Sequence, residues 1–414
     1  MKKPELLIPA GSLPVLKEAV IYGADAVYIG GESFSLRAGA KNAGLSELRE
    51  GVAFAHARGV KVYITANILA HNADIEAAEQ YFTELREVGP DALLISDPGL
   101  FMLARRILPE TDIHISTQAN NVNYETCRFW QELGAKRVVL GRELSLSEIR
   151  KIREMLPDSL EIECFVHGAM CISYSGRCLL SNFFTGRDAN QGACTHPCRW
   201  KYSIVEETRP GEYLPVYENE RGTFIFNSKD LCMIEHIPEL LAAGIDSLKI
   251  EGRMKTALYV ATVARTYRKA IDDYLESPEK YRKNLEWYKE EIGKCTYREF
   301  TTGFYFGKPQ ADAQIYDNNT YVRNYVYLGT AEAEDENGWT VLTQKNKFVK
   351  GDTVEIMKPD GRNLKTTALR ILDSAGQEME EASHASQELH VLFSEKPEIY
   401  DILRVSAEES HKKD

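Results

Sequence analysis

The chain has 414 residues, 43% hydrophobic and 27% charged, with a formal net charge of −12, enough apolar material for one large domain and a smaller one. The negative balance argues against a protein that coats nucleic acid non-specifically, while leaving room for a local basic surface that receives one folded RNA. No run of eighteen apolar residues occurs, and the opening MKKPELLIPAGSLP lacks an apolar signal-peptide core, so no membrane association is expected and the expected location is the cytoplasm. There the eight cysteines stay reduced, which speaks against a disulfide framework.

In chain order the first strand candidate is ELLIPAG (5–11). A recurring phrase then follows: YGADAVYIGG (22–31), RGVKVYITAN (58–67), VGPDALLISD (88–97), LGAKRVVLGR (133–142) and AGIDSLKIEG (243–252). In each, a glycine suits the end of a helix, where positive φ is needed. The apolar run that follows suits a strand buried on both faces. DIHISTQ (112–118) and EIECFVH (161–167) bring the count to eight strands. Helix-like segments lie between most of them, among them 13–22, 45–57, 75–88 and 145–155. Eightfold strand–helix alternation reads as an α/β protein, a (β/α)8 TIM-like barrel, with a doubly wound open sheet as the alternative. No G-x-G-x-x-G follows a strand, so a dinucleotide site has little support.

The active site of such a barrel lies at the carboxyl ends of its strands. Those ends supply Gly11, Asn67, Asp97, Gln118, Arg142, Glu143, His167, Glu251 and Arg253. Singly, each could be a cap or a loop-stabilising group. Together they describe a polar pocket whose arginines suit an anionic small molecule. The candidates are Arg142 and Arg253 for the anion, Arg37 as a third, His167 for proton transfer, and Asn67, Gln118 and Glu251 for substrate.

Strand eight arrives only near residue 246, so a Cys-rich insertion (168–245) follows strand seven. Its thiols are spaced Cys171-x6-Cys178-x15-Cys194-x3-Cys198, with Cys232 further on. Only Cys194 and Cys198 have the close pairing usual for structural zinc. The x6 gap favours a larger object, and a [4Fe–4S] cluster takes four thiolates from varied spacings. Zinc and unliganded thiols stay open on spacing alone. Cys127, Cys164 and Cys295 read as buried small hydrophobes.

ECFVHGAMCISYSGRCLLS (163–181) resembles the signature of peptidase family U32, the collagenase-like proteins. The match runs through Glu163, Phe165, Gly168, Ala169, Met170, Cys171, Gly176, Cys178, Leu180 and Ser181. RDANQGACTHPCRW (187–200) and NSKDLCMI…SLKIEGRMK (227–255) are also similar to family segments. The nearest branch is that of the tRNA hydroxylation proteins, which act in making 5-hydroxyuridine at the wobble position. The resemblance implies oxygen-independent hydroxylation of tRNA, a [4Fe–4S] cluster on Cys171, Cys178, Cys194 and Cys198, and prephenate as the anionic co-substrate. An electron-donor protein is a further partner that such chemistry would call on. Cys232 departs from the family pattern and reads as a bystander or a substitute ligand. The peptidase label finds little chemistry of its own: neither H-E-x-x-H nor G-x-S-x-G occurs, leaving a His167–Cys171 dyad as the hydrolase reading. A non-catalytic RNA-binding or assembly protein is the third class.

Beyond residue 254 the sequence predicts a helical extension (255–320), interrupted at Ser277-Pro278. Its Arg265, Arg268, Lys269, Arg282 and Lys283 read as a solvated face before an RNA contact. Five short alternating runs follow (YVYLGTAEAE, WTVLTQK, DTVEIMK, LKTTALRIL and ELHVLF) and predict a small β-barrel domain over 321–406. The hairpin tip KNKFVKGD (345–352) is either a basic RNA contact around Phe348 or a solvated turn with a core phenylalanine. Residues 407–414 are expected to be disordered.

Overall fold

The structure, a computed structural model, describes residues 2–36, 42–170, 178–197, 200, 218–219, 222–223, 228–308 and 321–410. Seven strands alternate with helices from the start. The strands are β1 (Glu5–Ala10), β2 (Ala26–Gly30), β3 (Lys61–Ala66), β4 (Ala92–Ile95), β5 (Asp112–Ile115), β6 (Arg137–Val139) and β7 (Glu161–Gly168). Between them run α1 (Leu13–Ile21), α2 (Leu45–His56), α3 (Ile75–Val88), α4 (Pro98–Ile107), α5 (Tyr124–Glu132) and α6 (Leu146–Glu154). After α7 (Leu180–Thr185), β8 (Asp230–Cys232) and α8 (Ile237–Ala242) comes β9 (Ser247–Ile250). β9 pairs in parallel with β1 (Glu5↔Ser247) and with β7 (Glu163↔Ser247), closing a barrel of eight parallel strands. All eight expected strands are present, and closure excludes the open sheet.

Strand alternation sends one set of residues inward, including Leu7, Ala26, Tyr28, Tyr63, Ala92 and Leu94, and the other set outward under the helices. Local signals fix the helix ends. Asp97 accepts from Leu100 N at the start of α4, and Ser145 and Glu148 form a reciprocal cap on α6; each such cap contributes about 1 kcal/mol. Gly89 ends α3 with φ 69°, a conformation that costs any residue with a Cβ. Cys127, Cys164 and Cys295 are buried, as expected. No helix among the described residues is long and apolar enough to cross a membrane.

β8 runs antiparallel to β7, with Leu231 opposite Gly168 and Cys232 opposite His167, so the insertion returns along the barrel wall. Beyond β9, α9 (Ala257–Glu276) packs against α1 and β1 as the barrel's eighth helix. The break at Ser277 is real: Ser277 Oγ accepts from Lys280 N and opens α10 (Pro278–Lys283), which α11 (Leu285–Ile292) follows. Most of the basic residues of this extension are ion-paired, including Arg268 with Asp25 and Asp272 and Lys269 with Asp273. Arg265 is buried, which is neither of the readings made from sequence.

The C-terminal domain is an antiparallel sheet of β10 (Tyr325–Thr330), β11 (Thr340–Thr343), β12 (Thr353–Met357), β13 (Asn363–Asp373), β14 (Glu388–Phe393) and β15 (Ile402–Ser406). It curls until Lys345 N donates to Leu328 O beside its first strand. β15 was missed in the sequence because Arg404 interrupts its apolar run. Arg404 is in fact buried, held by Glu291 and Glu355 at 2.6 Å each. Glu291 also pairs with Arg265, and Tyr22 Oη donates to Met357 O at 2.6 Å. These contacts join the sheet to the barrel. At the end of the chain the expectation of a tail disordered from 407 is corrected. Ala407 N donates to Asn324 O, and Ala407–Ser410 form one helical turn.

Candidate active site at the barrel mouth

The carboxyl ends of β2 to β5 carry small hydroxyl and amide side chains that bond to one another. Ser35 Oγ lies 2.6 Å from Thr65 Oγ1. Ser96 Oγ donates to Asn67 O at 2.8 Å, and Asn67 Nδ2 donates to Ser116 Oγ at 3.3 Å. Asn67 Oδ1 accepts from Leu36 N. Gln118 takes its backbone N–H to Ser116 Oγ, and its buried Oε1 has no hydrogen-bond partner among the described residues. A buried acceptor left in this way normally finds a ligand or water donor.

Arg253, just past β9, reaches across the mouth. Its Nη1 donates to Ser35 Oγ (2.6 Å), Thr65 Oγ1 (3.1 Å) and Leu36 O (3.2 Å), and its Nη2 to Asn42 Oδ1 (2.9 Å). A Cβ at Gly30 would stand 2.1 Å from this guanidinium. Arg253 is therefore a positioning group that braces the β2 loop. Arg37, in that loop, lies outside the described residues. Arg142 is the better placed cation: Nη1 donates to Ala169 O at 3.0 Å and the guanidinium sits 4.0 Å from the Phe165 ring centroid. Beneath it Lys249 approaches the rings of Tyr28 and Phe165 and pairs with Glu163 at 2.7 Å. Glu251 is half-buried, and its backbone N–H donates to His167 O. Gly168 (φ 104°) allows that approach, since a Cβ there would lie 2.5 Å from Glu251 O. Phe165 and Glu163 entered the sequence reading only as signature residues, and Lys249 not at all, although inward alternation along β7 and β9 points to all three.

His167 is turned elsewhere. Phe165 pairs with Lys249 but His167 with Ile250, so a bulge at Val166 shifts the strand by one residue and reverses the side on which His167 stands. Its ring packs among Tyr259, Tyr267 and Phe300, and Nδ1 is 3.4 Å from Tyr267 Oη. Burial lowers its pKa to about 4, so the ring is neutral at pH 7. The structure thus does not bring His167 into the mouth. Enclosed on three sides by rings, it is also poorly placed as the base of a dyad.

Of the four thiols in the expected ligand set, Cys178 and Cys194 are described, while Cys171 and Cys198 lie outside the described residues. The segment 178–197 folds back on itself: Thr195 N donates to Ser181 Oγ at 3.0 Å and Asn190 Nδ2 to Cys178 O at 3.2 Å. Both thiols are half-buried. Burial raises the Cys194 pKa, but hydrogen bonding to His196 (Sγ to Nδ1 3.9 Å) outweighs it and brings the thiol down to about 6. A thiol that ionises readily, Cys194, held in one short loop with Cys178 is donor chemistry that suits a soft metal centre. The loop docks at the mouth, where Leu69 N donates to Asn190 O at 3.2 Å and Gln191 Nε2 to Leu69 O, two residues beyond Asn67. Cys232 differs. It lies near Tyr267 Oη on the wall, and burial pushes its thiol up to about 12, as suits a bystander.

Beside the mouth a cleft of about 1260 Å³ separates the loops after β1 and β9 from the C-terminal domain. The hairpin tip divides at this point. Phe348 is core, while Lys347 and Lys350 pair with Glu381 and with Glu378 and Glu380. Lys345 alone of the three lysines lines the cleft.

The model of peptidase family U32 matches residues 11–315, and that of the family's C-terminal domain matches 323–404. The chain belongs to peptidase family U32. Among its U32 relatives is the tRNA hydroxylation protein P1 of Bacillus subtilis, 44% identical over 93% of this chain and 91% of that protein. The tRNA hydroxylation protein P of Escherichia coli is 41% identical over 92% of this chain and 91% of that one. The 23S rRNA 5-hydroxycytidine C2501 synthase of Escherichia coli is 37% identical over 66% of this chain and 40% of that protein.

Proposed function

We propose that this U32 enzyme hydroxylates tRNA, at C5 of the wobble uridine, with prephenate as its anionic co-substrate and a [4Fe–4S] cluster on Cys171, Cys178, Cys194 and Cys198. The observation that carries the reading is end-to-end similarity to two proteins named for tRNA hydroxylation, together with a shorter match to an rRNA hydroxycytidine synthase. The geometry supports it. The thiol loop is fastened beside Asn67, so a cluster bound there would supply one-electron chemistry at the mouth. Arg142 offers a charge-assisted donor to a carboxylate above the Phe165 ring. Gln118 Oε1 can accept from a substrate N–H or O–H, and Arg253 keeps the β2 loop in place.

The test is an anaerobic reaction of the purified enzyme with unmodified tRNA and prephenate, read by nucleoside mass spectrometry. The expected product is 5-hydroxyuridine, dependent on prephenate and absent for Cys194→Ala. An unchanged nucleoside pool from enzyme containing about four irons and four sulfides would overturn the reading.

A further inference from the structure

The segment that walls the cleft reads Tyr321-Val-Arg323-Asn-Tyr325-Val-Tyr327. Val322–Arg323 pairs with Thr296–Tyr297, and after Asn324 the chain enters β10 at Tyr325. Tyr321, Arg323, Tyr325 and Tyr327 all line the cleft, as do Lys255 on the barrel side and Lys345 on the sheet side. Cations stand beside the rings: Lys255 Nζ lies 5.3 Å from the Tyr321 centroid, and Arg323 falls between Tyr321 and Tyr325 in the chain. No carboxylate among the described residues pairs with Lys255, Arg323 or Lys345, whereas most other cations of the C-terminal domain are paired. The two acids of the cleft add little opposing charge. Burial pushes Glu18 up to about 8, so it is largely neutral at pH 7, and Glu332 accepts from Thr343 N and Oγ1. One wall of the cleft is Arg253, whose guanidinium crosses the barrel mouth.

We propose that this cleft is the RNA track: it holds the single-stranded nucleotides flanking the target base, with phosphates on Lys255, Arg323 and Lys345 and bases stacked on Tyr321 and Tyr325, and delivers that base to the mouth. The proposal rests on the RNA reading above. Stacking platforms alternating with unpaired cations are the chemistry of single-strand binding. An acidic peptide would use the cations but not the exposed tyrosine face. The cleft is also larger than a small-molecule pocket needs, about 300–1,000 Å³.

The test is titration of an anticodon stem–loop RNA into the full-length enzyme by fluorescence anisotropy over a range of salt, with polyglutamate as a competitor. Arg323→Glu/Lys345→Glu is expected to weaken binding about tenfold or more and to flatten the log Kd–log salt slope by about 1.4, two contacts at 0.7 each. Tyr321→Ala weakens binding about tenfold with the slope kept. Lys347→Glu, on the same hairpin but paired outside the cleft, changes it less than about threefold. Thermal melts of all variants confirm folding. Wild-type binding that the double variant leaves unchanged overturns the track and leaves the hydroxylation reading intact. So does polyglutamate that displaces the RNA at equal charge. A wild-type enzyme that binds no stem–loop overturns both.

Discussion

At the amino-terminal end of the barrel Arg137 is enclosed by Glu5, Glu161 and Glu163, and Glu163 in turn holds Lys249. At the carboxyl-terminal end the interior is lined by hydroxyls and amides, and Arg142 lies over Phe165 beside the opening. Both ends grow from the same eight strands with the same alternation, yet at one end charge is enclosed by carboxylates and at the other a guanidinium lies over an aromatic ring and donates to a backbone carbonyl. Removing one partner of a buried charge network is strongly destabilising, whereas Arg142 is proposed above to meet a ligand. The contrast separates residues whose loss should unfold the protein from those whose loss should only silence it.

Arg137→Ala breaks the closed end. It strands three carboxylates around a buried gap and should cost about 3–5 kcal/mol, measured by urea unfolding. Glu291→Gln breaks the other closed network, at the domain junction. Burial raises the Glu291 pKa, but Arg404 and Arg265 outweigh it and hold the carboxyl at about 2. A depressed folded-state pKa gives stability that is complete above the unfolded value near 4.5 and lost as pH falls toward about 2. The variant should therefore lose about 3 kcal/mol at pH 7 and show a shallower acid limb between those values.

Arg142→Ala sharpens the contrast. It should raise the KM for the proposed anionic co-substrate about tenfold or more and move Tm by no more than a few degrees. A Tm loss as large as that of Arg137→Ala would erase the distinction between the two ends. Glu18→Gln changes stability in the opposite sense. A raised folded-state pKa of about 8 means that wild-type stability is full below pH 4.5 and declines as pH rises toward 8. The glutamine variant should match the wild type at pH 4 and exceed it by up to about 4 kcal/mol at pH 8, read by thermal melts at the two pH values.

The barrel was legible because its signal is repeated. Five glycine-plus-apolar phrases each specify a helix end and a buried strand, three further apolar runs complete the eight, and chain order specifies the rest. The mouth was legible only in part. Asn67 and Gln118 both bond to Ser116 Oγ at the strand ends, and Arg142 lies over the Phe165 ring. His167 also stands at a strand end, but the bulge at Val166 turns it to the outer wall, and a one-residue slip leaves no mark in composition. Arg253 was read as a ligand for an anion. Its partners Ser35, Leu36, Thr65 and Asn42 come from elsewhere in the chain, so its bracing role was visible only once the strands closed. β15 was hidden for a related reason: a buried arginine looks like a surface residue until its two glutamates are brought to it. The tyrosine–arginine alternation of 321–327 was in plain view, and it gained meaning from the cleft it lines.

The most direct measurement is the nucleoside content of tRNA from cells whose own copy of this gene is deleted, complemented with wild type, Cys194→Ala or Cys232→Ala. The account predicts that 5-hydroxyuridine and its derivatives disappear on deletion. It predicts that wild type and Cys232→Ala restore them and that Cys194→Ala does not. Full restoration by Cys194→Ala, or no loss on deletion, would contradict it.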